Sequence, residues 1–578
     1  MAQELGSPRA QSRAIGDHPF KGRTVAVVND LTRAEQWYLY QKTRELKQVV
    51  ERGENLDAFR LQEKEAAVYT IFMEDSTRTK ESFRNAAEFH GMKVNVFDAK
   101  TSSFQKNETI TDTIKMLCGY SIGQSTFVIR SKLEGVCRWL EEAIGEYTKL
   151  RGYPTASFVN AGDGRHEHPT QEFLDEFSFL EHKGWDTGSI HVVLLGDLYH
   201  GRTVHSKVDG LKIYDKVCVD LVAPSELALP KMYEDRMVDA GFEVRKFASI
   251  DEYLAQDRVS TIWYFTRLQL ERMGDKVLSR QMDLRRAVTF QREQVDLLPP
   301  DTRFFHPLPR DARFPVLPFW LDGTKLNGWD QQSQNGYFTR ITLLGMLGGR
   351  FGDDFKVQVA AGTGQAEKTS PERLDGSKAL YEAAEFIRES PIADSIAEEN
   401  LTPGLVLISN GILITRLAEG QDEEQIWAVL SMVRSVLGLS SVGGQGVARD
   451  GDDGPASGFI SSPDFDLEKC DRMPLKKLAA MAPGSTLYVI KDRKVCRRFH
   501  LQVPPRVYNF SDMSCKNTAC VSHRSNMQHE VVPYFLRGAC KSDASSAMSF
   551  TCKYCEAPHG FWEIWDYQHY EDVSQFRL

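Results

Sequence analysis

Short apolar runs that stop against polar, turn-forming residues recur before residue 350, and they leave few folds open. Ala67-Val68-Tyr69-Thr70-Ile71-Phe72-Met73 is continuous and partly β-branched, so it reads as a buried strand. Phe83, Ala86 and Ala87 follow at helical spacing, with Gly91 as a C-terminal stop. A strand near Lys93–Phe97, a helix near Thr109–Cys118 and the strand Phe127-Val128-Ile129, ending in Arg130, continue the pattern. A second half opens near residue 186 with His191-Val192-Val193-Leu194-Leu195-Gly196-Asp197, then Val217–Val222 and Val259–Phe265, and an apolar helix over Ile341–Leu347 closes it. This alternation implies doubly wound parallel sheets, with ligands beyond the strand C-termini. No GxGxxG follows Leu195, which argues against a dinucleotide site.

The polar residues that end these strands are chemically selective. Ser76-Thr77-Arg78-Thr79 sits where a helix would begin, so unpaired N–H groups, three hydroxyls and a guanidinium meet at one anion cradle. Arg130 ends a strand, and Arg202 lies in Gly201-Arg202-Thr203-Val204-His205 just past another. Arg267 and Gln269 follow Tyr264-Phe265-Thr266. His168 lies in His166-Glu167-His168-Pro169-Thr170-Gln171, after the turn-rich stretch Asn160–Gly164. His306-Pro307-Leu308-Pro309-Arg310 places a Leu–Pro bond where an unusual turn, cis in form, aims a carbonyl inward. Lys106 belongs to a polar loop, Lys100–Glu108. Two anion pockets and a neutral histidine fit condensation of a phosphorylated donor with a dicarboxylate acceptor. No acid pair or Cys/His dyad stands out for covalent catalysis.

Composition limits the rest. The 578 residues suggest three to five domains. A net charge of −9 and a pI near 5.9 argue against a general nucleic-acid binder. No run has the apolar length of a membrane span, and residues 1–23 read as a flexible extension without a signal-peptide core. Residues 352–390 read as a linker, 391–510 as a second globular region and 511–578 as a separate module. Within 391–510, Val406–Ile408 and Ile412–Ile414 read as strands. Ile426, Val429, Leu430, Val433, Val436 and Leu437 form a helical core stripe, and 439–458 reads as a loop. Cys118, Cys137 and Cys218 read as buried thiols in a reduced, cytoplasmic chain, and the other seven cysteines lie beyond residue 469. Among those, Cys515-x4-Cys520 and Cys552-x2-Cys555 have the spacing of a closed, structural zinc site.

Taken together, Ser76-Thr77-Arg78-Thr79, His168-Pro169-Thr170-Gln171 and His306-Pro307-Leu308-Pro309-Arg310 resemble the carbamoyltransferases. Within that group residues 24 to about 350 are most similar to the aspartate enzymes. That narrower likeness rests on Ser102…Lys106-Asn107-Glu108-Thr109, on Gly196-Asp197-Leu198…Gly201–His205, and on Arg267-Leu268-Gln269…Glu271-Arg272. The resemblance implies that Ser76, Thr77, Arg78 and Thr79 hold the phosphate of carbamoyl phosphate. It implies that Thr79, Arg130 and His168 polarise its carbonyl and that Gln171 meets its amino group. Arg202, Arg267 and Gln269 would bind the carboxylates of L-aspartate, with Leu308 and Pro309 orienting the nitrogens. Ser102 and Lys106 would reach in from a neighbouring subunit of a trimer, itself a unit of any larger homo-oligomer. Glu74 would link the two halves on closure, with Arg202 and Arg272 as partners. The implied order is a carbamoyl-phosphate domain over 24–160, completed by a helix at 330–350, and an aspartate domain over 161–329.

The tail extends the likeness. Cys515–His523 and Cys552–Glu556 resemble the zinc domain of the family's regulatory chain, and Leu475–Ala479 with Ala482-Pro483 resembles its nucleotide-binding domain. The expected architecture is therefore α/β: two doubly wound parallel-sheet domains, an α+β regulatory-like domain and a small β zinc-ribbon-like domain. Where the regulatory family has Gly-x-Val-Ile-Asp-His, this chain has Gly404-Leu405-Val406-Leu407-Ile408-Ser409, which leaves nucleotide effectors open. The alternatives at this stage are a carbamoyltransferase for another amine and a non-catalytic scaffold.

Overall fold

A computed structural model describes residues 18–63, 65–98, 108–270, 280–355, 387–391, 408–439, 441–449, 454–463, 465–467, 478–503, 506–508, 513–526, 531–538 and 548–565. The chain forms two compact units, Met1–Gly362 and Thr363–Leu578. Among the described residues no helix is long and apolar enough to cross a membrane.

The first unit holds two parallel sheets. One contains β1 (Ala67–Phe72), β2 (Lys93–Asp98), β3 (Ser125–Ser131) and β4 (Ala156–Asp163), in the order β2-β1-β3-β4. The other contains β5 (Ser189–Leu195), β6 (Lys216–Val222), β7 (Glu243–Phe247), β8 (Ile262–Phe265) and β9 (Arg303–Phe305), in the order β7-β6-β5-β8-β9. The central strands are buried along nearly their whole length, which explains why they read as unbroken apolar runs. Asn160–Asp163, expected as a turn, instead completes β4, because the Asn160 amide donates to Asp163 and to the Ala26 carbonyl while Asp163 accepts the Glu167 N–H inside the core.

Three helices bind the two sheets. Arg33–Glu51, Pro169–His182 and Trp329–Leu347 pack on one another, and their apolar faces join residues of both sheets in a single core that includes Val68, Val159, Leu194, Tyr264 and Leu344. The last of these helices starts twelve residues before the apolar run at Ile341, close to the 330–350 span that the family likeness implied. Its first half buries polar side chains, Gln332 and Asn335, that find partners on Pro169–His182 and thus hide its helical period. The expected flexible extension also shortens. Phe20 is fully buried between Tyr38 and Phe355, and Val25 bridges Val159.

The second unit contains a six-stranded sheet whose strand pairings are all antiparallel. Its order is Ile387–Ser390, Lys494–Leu501, Thr486–Lys491, Gly411–Leu417, Ala456–Pro463 and Gly444–Arg449. The helix Glu423–Val436 buries Ile426, Val429, Leu430 and Val433, as its stripe required. The stretch read as a loop over 439–458 contributes the strand Gly444–Arg449 and the start of its neighbour. Cross-strand pairing with Ala456–Ser461 holds this Gly-rich edge, a long-range contact that composition does not encode. Val406 and Leu407 lie outside the described residues, and Ile408 is buried outside any strand. A small antiparallel sheet of Arg506–Tyr508, Tyr534–Arg537, Ser549–Cys552 and Pro558–Gly560 follows.

Candidate active site

Each parallel sheet changes direction once, and the polar residues cluster at those two points. In the first sheet β1 lies between β2 and β3, so the chain leaves β1 and β3 toward opposite faces and opens a crevice at their C-terminal ends. Ser76–Thr79 follow β1, and Arg130 is the penultimate residue of β3. In the second sheet the same reversal falls between β5 and β8. Asp197 and Arg202 follow β5, while Arg267 and Gln269 follow β8.

At the first crevice Ser76 is the extended N-cap of the helix Thr77–Phe89, and its hydroxyl makes no cap hydrogen bond. Thr77 and Arg78 are exposed at the first turn, where backbone N–H groups have no helical partner. Thr79 is buried, and its Oγ1 lies 3.5 Å from Nε2 of His168, which caps the helix Pro169–His182. Burial, then the charges of Arg130, Arg202 and Arg340, hold the His168 pKa well below its ordinary value. The ring is therefore neutral at physiological pH.

Glu74 joins the two sheets. It stands 3.2 Å from Nη1 of Arg202 and 3.7 Å from Nε of Arg130. The same arginines donate to main-chain carbonyls, Arg130 to Ala161 at 3.0 Å and Arg202 to Gly164 at 3.0 Å. Gly162, at φ +110, passes between them, and a Cβ there would lie 3.1 Å from Cζ of Arg202 and 3.2 Å from Nη1 of Arg130. Glycine is thus what lets the two guanidinia approach.

At the second crevice the ends of β5 and β8 nearly touch. A Cβ on Gly196 would fall 2.4 Å from the carbonyl oxygen of Thr266. Asp197 accepts from the N–H groups of His200 (2.9 Å) and Gln269 (3.1 Å), fixing the loop that carries Arg267 to the loop that carries Arg202. The Leu308–Pro309 peptide is cis, and the Leu308 N–H donates to Nδ1 of His306 at 2.7 Å. Burial, then the positive charges of Arg310, Arg78 and Arg267, push the His306 pKa down to about 3. Arg310 pairs with Asp322 at 2.7 Å and keeps its positive charge. Burial and the Arg310 charge lower the Arg78 pKa, so a bound anion would relieve a real repulsion.

Ser102, Lys106 and Arg272 lie outside the described residues. Ser76–Thr79, Arg130 and His168 lie at the first crevice and Arg202, Arg267 and Gln269 at the second, while Gln171 lies in the first turn of the helix Pro169–His182. Sequence reading missed Arg340, which is buried, donates to Oγ of Ser82 at 2.7 Å and lies 5.2 Å from the Phe83 ring centroid. Burial lowers its pKa to about 10, and its charge bears on His168. An arginine just ahead of an apolar helical run was the available signal.

In the second unit Cys515, Cys520, Cys552 and Cys555 are buried, and their sulfur atoms all lie within 4.8 Å of one another. Cys515 and Cys555 are 3.6 Å apart, and Cys520 and Cys552 3.8 Å. Tetrahedral zinc with Zn–S bonds of about 2.3 Å needs sulfur separations of about 3.8 Å, so the cluster fits a metal and is too open for disulfides. Nε2 of His559 is 3.3 Å from Sγ of Cys515, and the Ser522 N–H donates to Sγ of Cys520 at 3.4 Å. Such donors stabilise thiolates. Cys118 and Cys137 are buried, whereas Cys218 is half-buried beside Arg258.

Comparison with known proteins agrees with this geometry. The carbamoyl-phosphate-binding domain of aspartate/ornithine carbamoyltransferase matches residues 23–181. Protein PyrBI of Thermotoga maritima is 46% identical over 552 residues, covering 94% of this chain and 99% of the relative. Protein PyrBI of Treponema denticola is 45% identical over 556 residues, covering 95% and 99%. The aspartate carbamoyltransferase catalytic subunit of Methanobrevibacter smithii is 30% identical over 329 residues, covering 57% of this chain and 95% of the relative.

Proposed function

The chain belongs to the aspartate carbamoyltransferases, as a catalytic chain fused to a regulatory one, and from that premise we propose how its own residues carry the reaction. The enzyme transfers the carbamoyl group of carbamoyl phosphate to the amine of L-aspartate, giving N-carbamoyl-L-aspartate and phosphate, in pyrimidine biosynthesis. In our reading the phosphate rests on Ser76, Thr77, Arg78 and Thr79 at the helix N-terminus, where backbone N–H groups and a guanidinium meet it. Thr79, Arg130 and His168 face the carbamoyl oxygen, and Gln171 faces its nitrogen. Arg202, Arg267 and Gln269 hold the aspartate carboxylates, with the Leu308 carbonyl and Pro309 turning the nitrogens inward.

The neutral amine forms a bond to the carbamoyl carbon, negative charge grows on the carbamoyl oxygen, the C–O bond to phosphate breaks toward Arg78, and the leaving phosphate takes the surplus proton of the attacking nitrogen. Each preset donor to that oxygen contributes about 2.7–4 kcal/mol. His168, held neutral by burial, donates its ring N–H to that oxygen, which can only accept. Closure through Glu74 excludes water from a labile substrate. Ser102 and Lys106 complete the pocket from a neighbouring subunit, so the active unit is a trimer. Cys515, Cys520, Cys552 and Cys555 would hold a structural zinc ion, which would stiffen the small sheet and take no part in the chemistry. The regulatory-type half serves assembly and nucleotide response in a cytoplasmic enzyme that uses neither nucleic acid nor membrane.

The observation that carries this reading is the meeting of Arg130 and Arg202, one from each sheet, on Glu74 between two anion-seeking crevices. Carbamoyl-aspartate formation by the purified chain, assayed with and without nucleoside triphosphates, tests it. Absence of product with intact substrates would overturn the assignment, and an unchanged rate with nucleotides would remove the regulatory part.

A further inference from the structure

Behind Gln171 lies a buried polar relay that the reaction scheme above does not use. Nε2 of Gln171 donates to Oδ1 of Asp175 at 2.8 Å. The same Oδ1 accepts from Nε2 of Gln332 at 2.7 Å, and Oδ2 takes Nζ of Lys207 at 3.0 Å. Oε1 of Gln332 accepts the main-chain N–H of His306 at 2.9 Å, at the head of the turn that carries Leu308. Gln171, Asp175, Lys207 and Gln332 are all buried. One carboxylate, on the helix Pro169–His182, therefore ties together two groups that reach the substrate from different elements.

The orientation of each amide follows from this chain of contacts. The His306 N–H can only donate, so Gln332 must present its oxygen there and its NH2 to Asp175. Asp175, paired with an ammonium group, can only accept, so Gln171 must turn its NH2 toward Asp175. The carbonyl oxygen of Gln171 is left without a hydrogen bond from the described residues. An oxygen in that position accepts from an N–H2 group and rejects a bare oxygen. Neighbouring carboxylates do not compete for the role. Glu172 pairs with Lys207 at 2.6 Å, and Glu176 stands further off at 3.8 Å.

We propose that Asp175, charged and fixed by Lys207, is the positioning residue that locks the Gln171 amide so that its oxygen reads the carbamoyl nitrogen, and that it sets the Leu308 turn through Gln332. This rests on the placement of Gln171 argued above. The relay gives the donor site its preference for a carbamoylated phosphate over phosphate itself, since only the former carries the N–H2 group.

The test is the ratio of the dissociation constants for inorganic phosphate and carbamoyl phosphate, measured by calorimetry on the full chain. Asp175→Asn must turn its oxygen to Lys207 and its NH2 to both Gln171 and Gln332, which flips the Gln171 amide and breaks the contact to Gln332. The expected result is a preference for carbamoyl phosphate reduced about tenfold, with phosphate affinity within about twofold of the parent. Damage to the fold would weaken both ligands alike. The double variant Asp175→Asn/Lys207→Met removes the need for the flip and regains the preference. If Asp175→Asn does not fold, Gln332→Leu carries the test, with an expected loss of about threefold. An unchanged ratio in the folded variants, while Gln171→Ala lowers it, overturns the relay and leaves the site intact. An unchanged ratio in Gln171→Ala as well would instead remove the placement of Gln171.

Discussion

Replacing Glu74 by Gln offers the sharpest check on how the two crevices work together. Gln keeps the size and one acceptor but removes the negative charge between Arg130 and Arg202. The 3.2 Å contact to Arg202 is a charge-assisted hydrogen bond, and the 3.7 Å contact to Arg130 adds ion pairing at a longer reach. All three side chains are about 15% exposed, so solvent screens them only in part. Charge-assisted bonds contribute about 1.5–3 kcal/mol net, because desolvation offsets much of the gross attraction. Loss of one such bond on closure lowers kcat/KM for aspartate by about 10- to 150-fold. Two guanidinia would also face each other without a counter-charge, which pushes the value toward the upper end. The assay is steady-state carbamoyl-aspartate formation across aspartate concentrations, with a thermal melt to establish folding. A folded variant within twofold of the parent would refute the view that Glu74 joins the halves.

Four further outcomes follow from the same geometry. Arg78→Ala should lower turnover by at least about 100-fold while leaving the melting temperature unchanged, because the side chain is exposed and bears on the leaving phosphate; near-normal activity would defeat the assignment. Gly162→Ala should raise KM for both substrates by separating Arg130 from Arg202; unchanged kinetics would show that the two guanidinia need not approach. His90 and His205, held by burial at pKa values of about 4, should show no imidazole titration by NMR between pH 8 and 5.5. The unfolded chain takes up a proton near pH 6.5, so the contribution of each is full above that pH and declines by about 1.4 kcal/mol per unit as the pH falls toward 4. Titration of either ring near 6.5 in the folded enzyme would contradict this. Chelation should melt the small sheet that carries Cys552 and release one metal ion per chain, since structural zinc contributes about 10–16 kcal/mol to such modules; a chain that holds no zinc and keeps the same melt would sink the metal assignment.

The parallel sheets were legible because burial on both faces removes alternation and leaves runs such as Val192–Leu195 that only a covered strand can use. The helix start at Ser76–Thr79 was legible for a related reason: hydroxyl residues that follow an apolar run mark where a helix begins. The cysteine pairs were legible because metal geometry constrains spacing. In contrast, the strand over Gly444–Arg449 looked like a loop, since its pairing with Ala456–Ser461 supplies what its own glycines lack. Burial of Phe20 was likewise invisible, because its partners Tyr38 and Phe355 are remote in the sequence.

What the chain order alone determined was the kind of chemistry available: which residues end strands, which carry charge, and which repeat with the period of a helix. Tertiary structure alone decided which of them meet. Arg130 and Arg202 are brought to one carboxylate by the reversal of two sheets, and Gln171 is turned by an aspartate that reads in sequence as one more acid on a helix. Local residues fix local geometry through short-range sterics and hydrogen bonding. Orientation of a buried amide depends on donors and acceptors far along the chain, and only packing sets those in place.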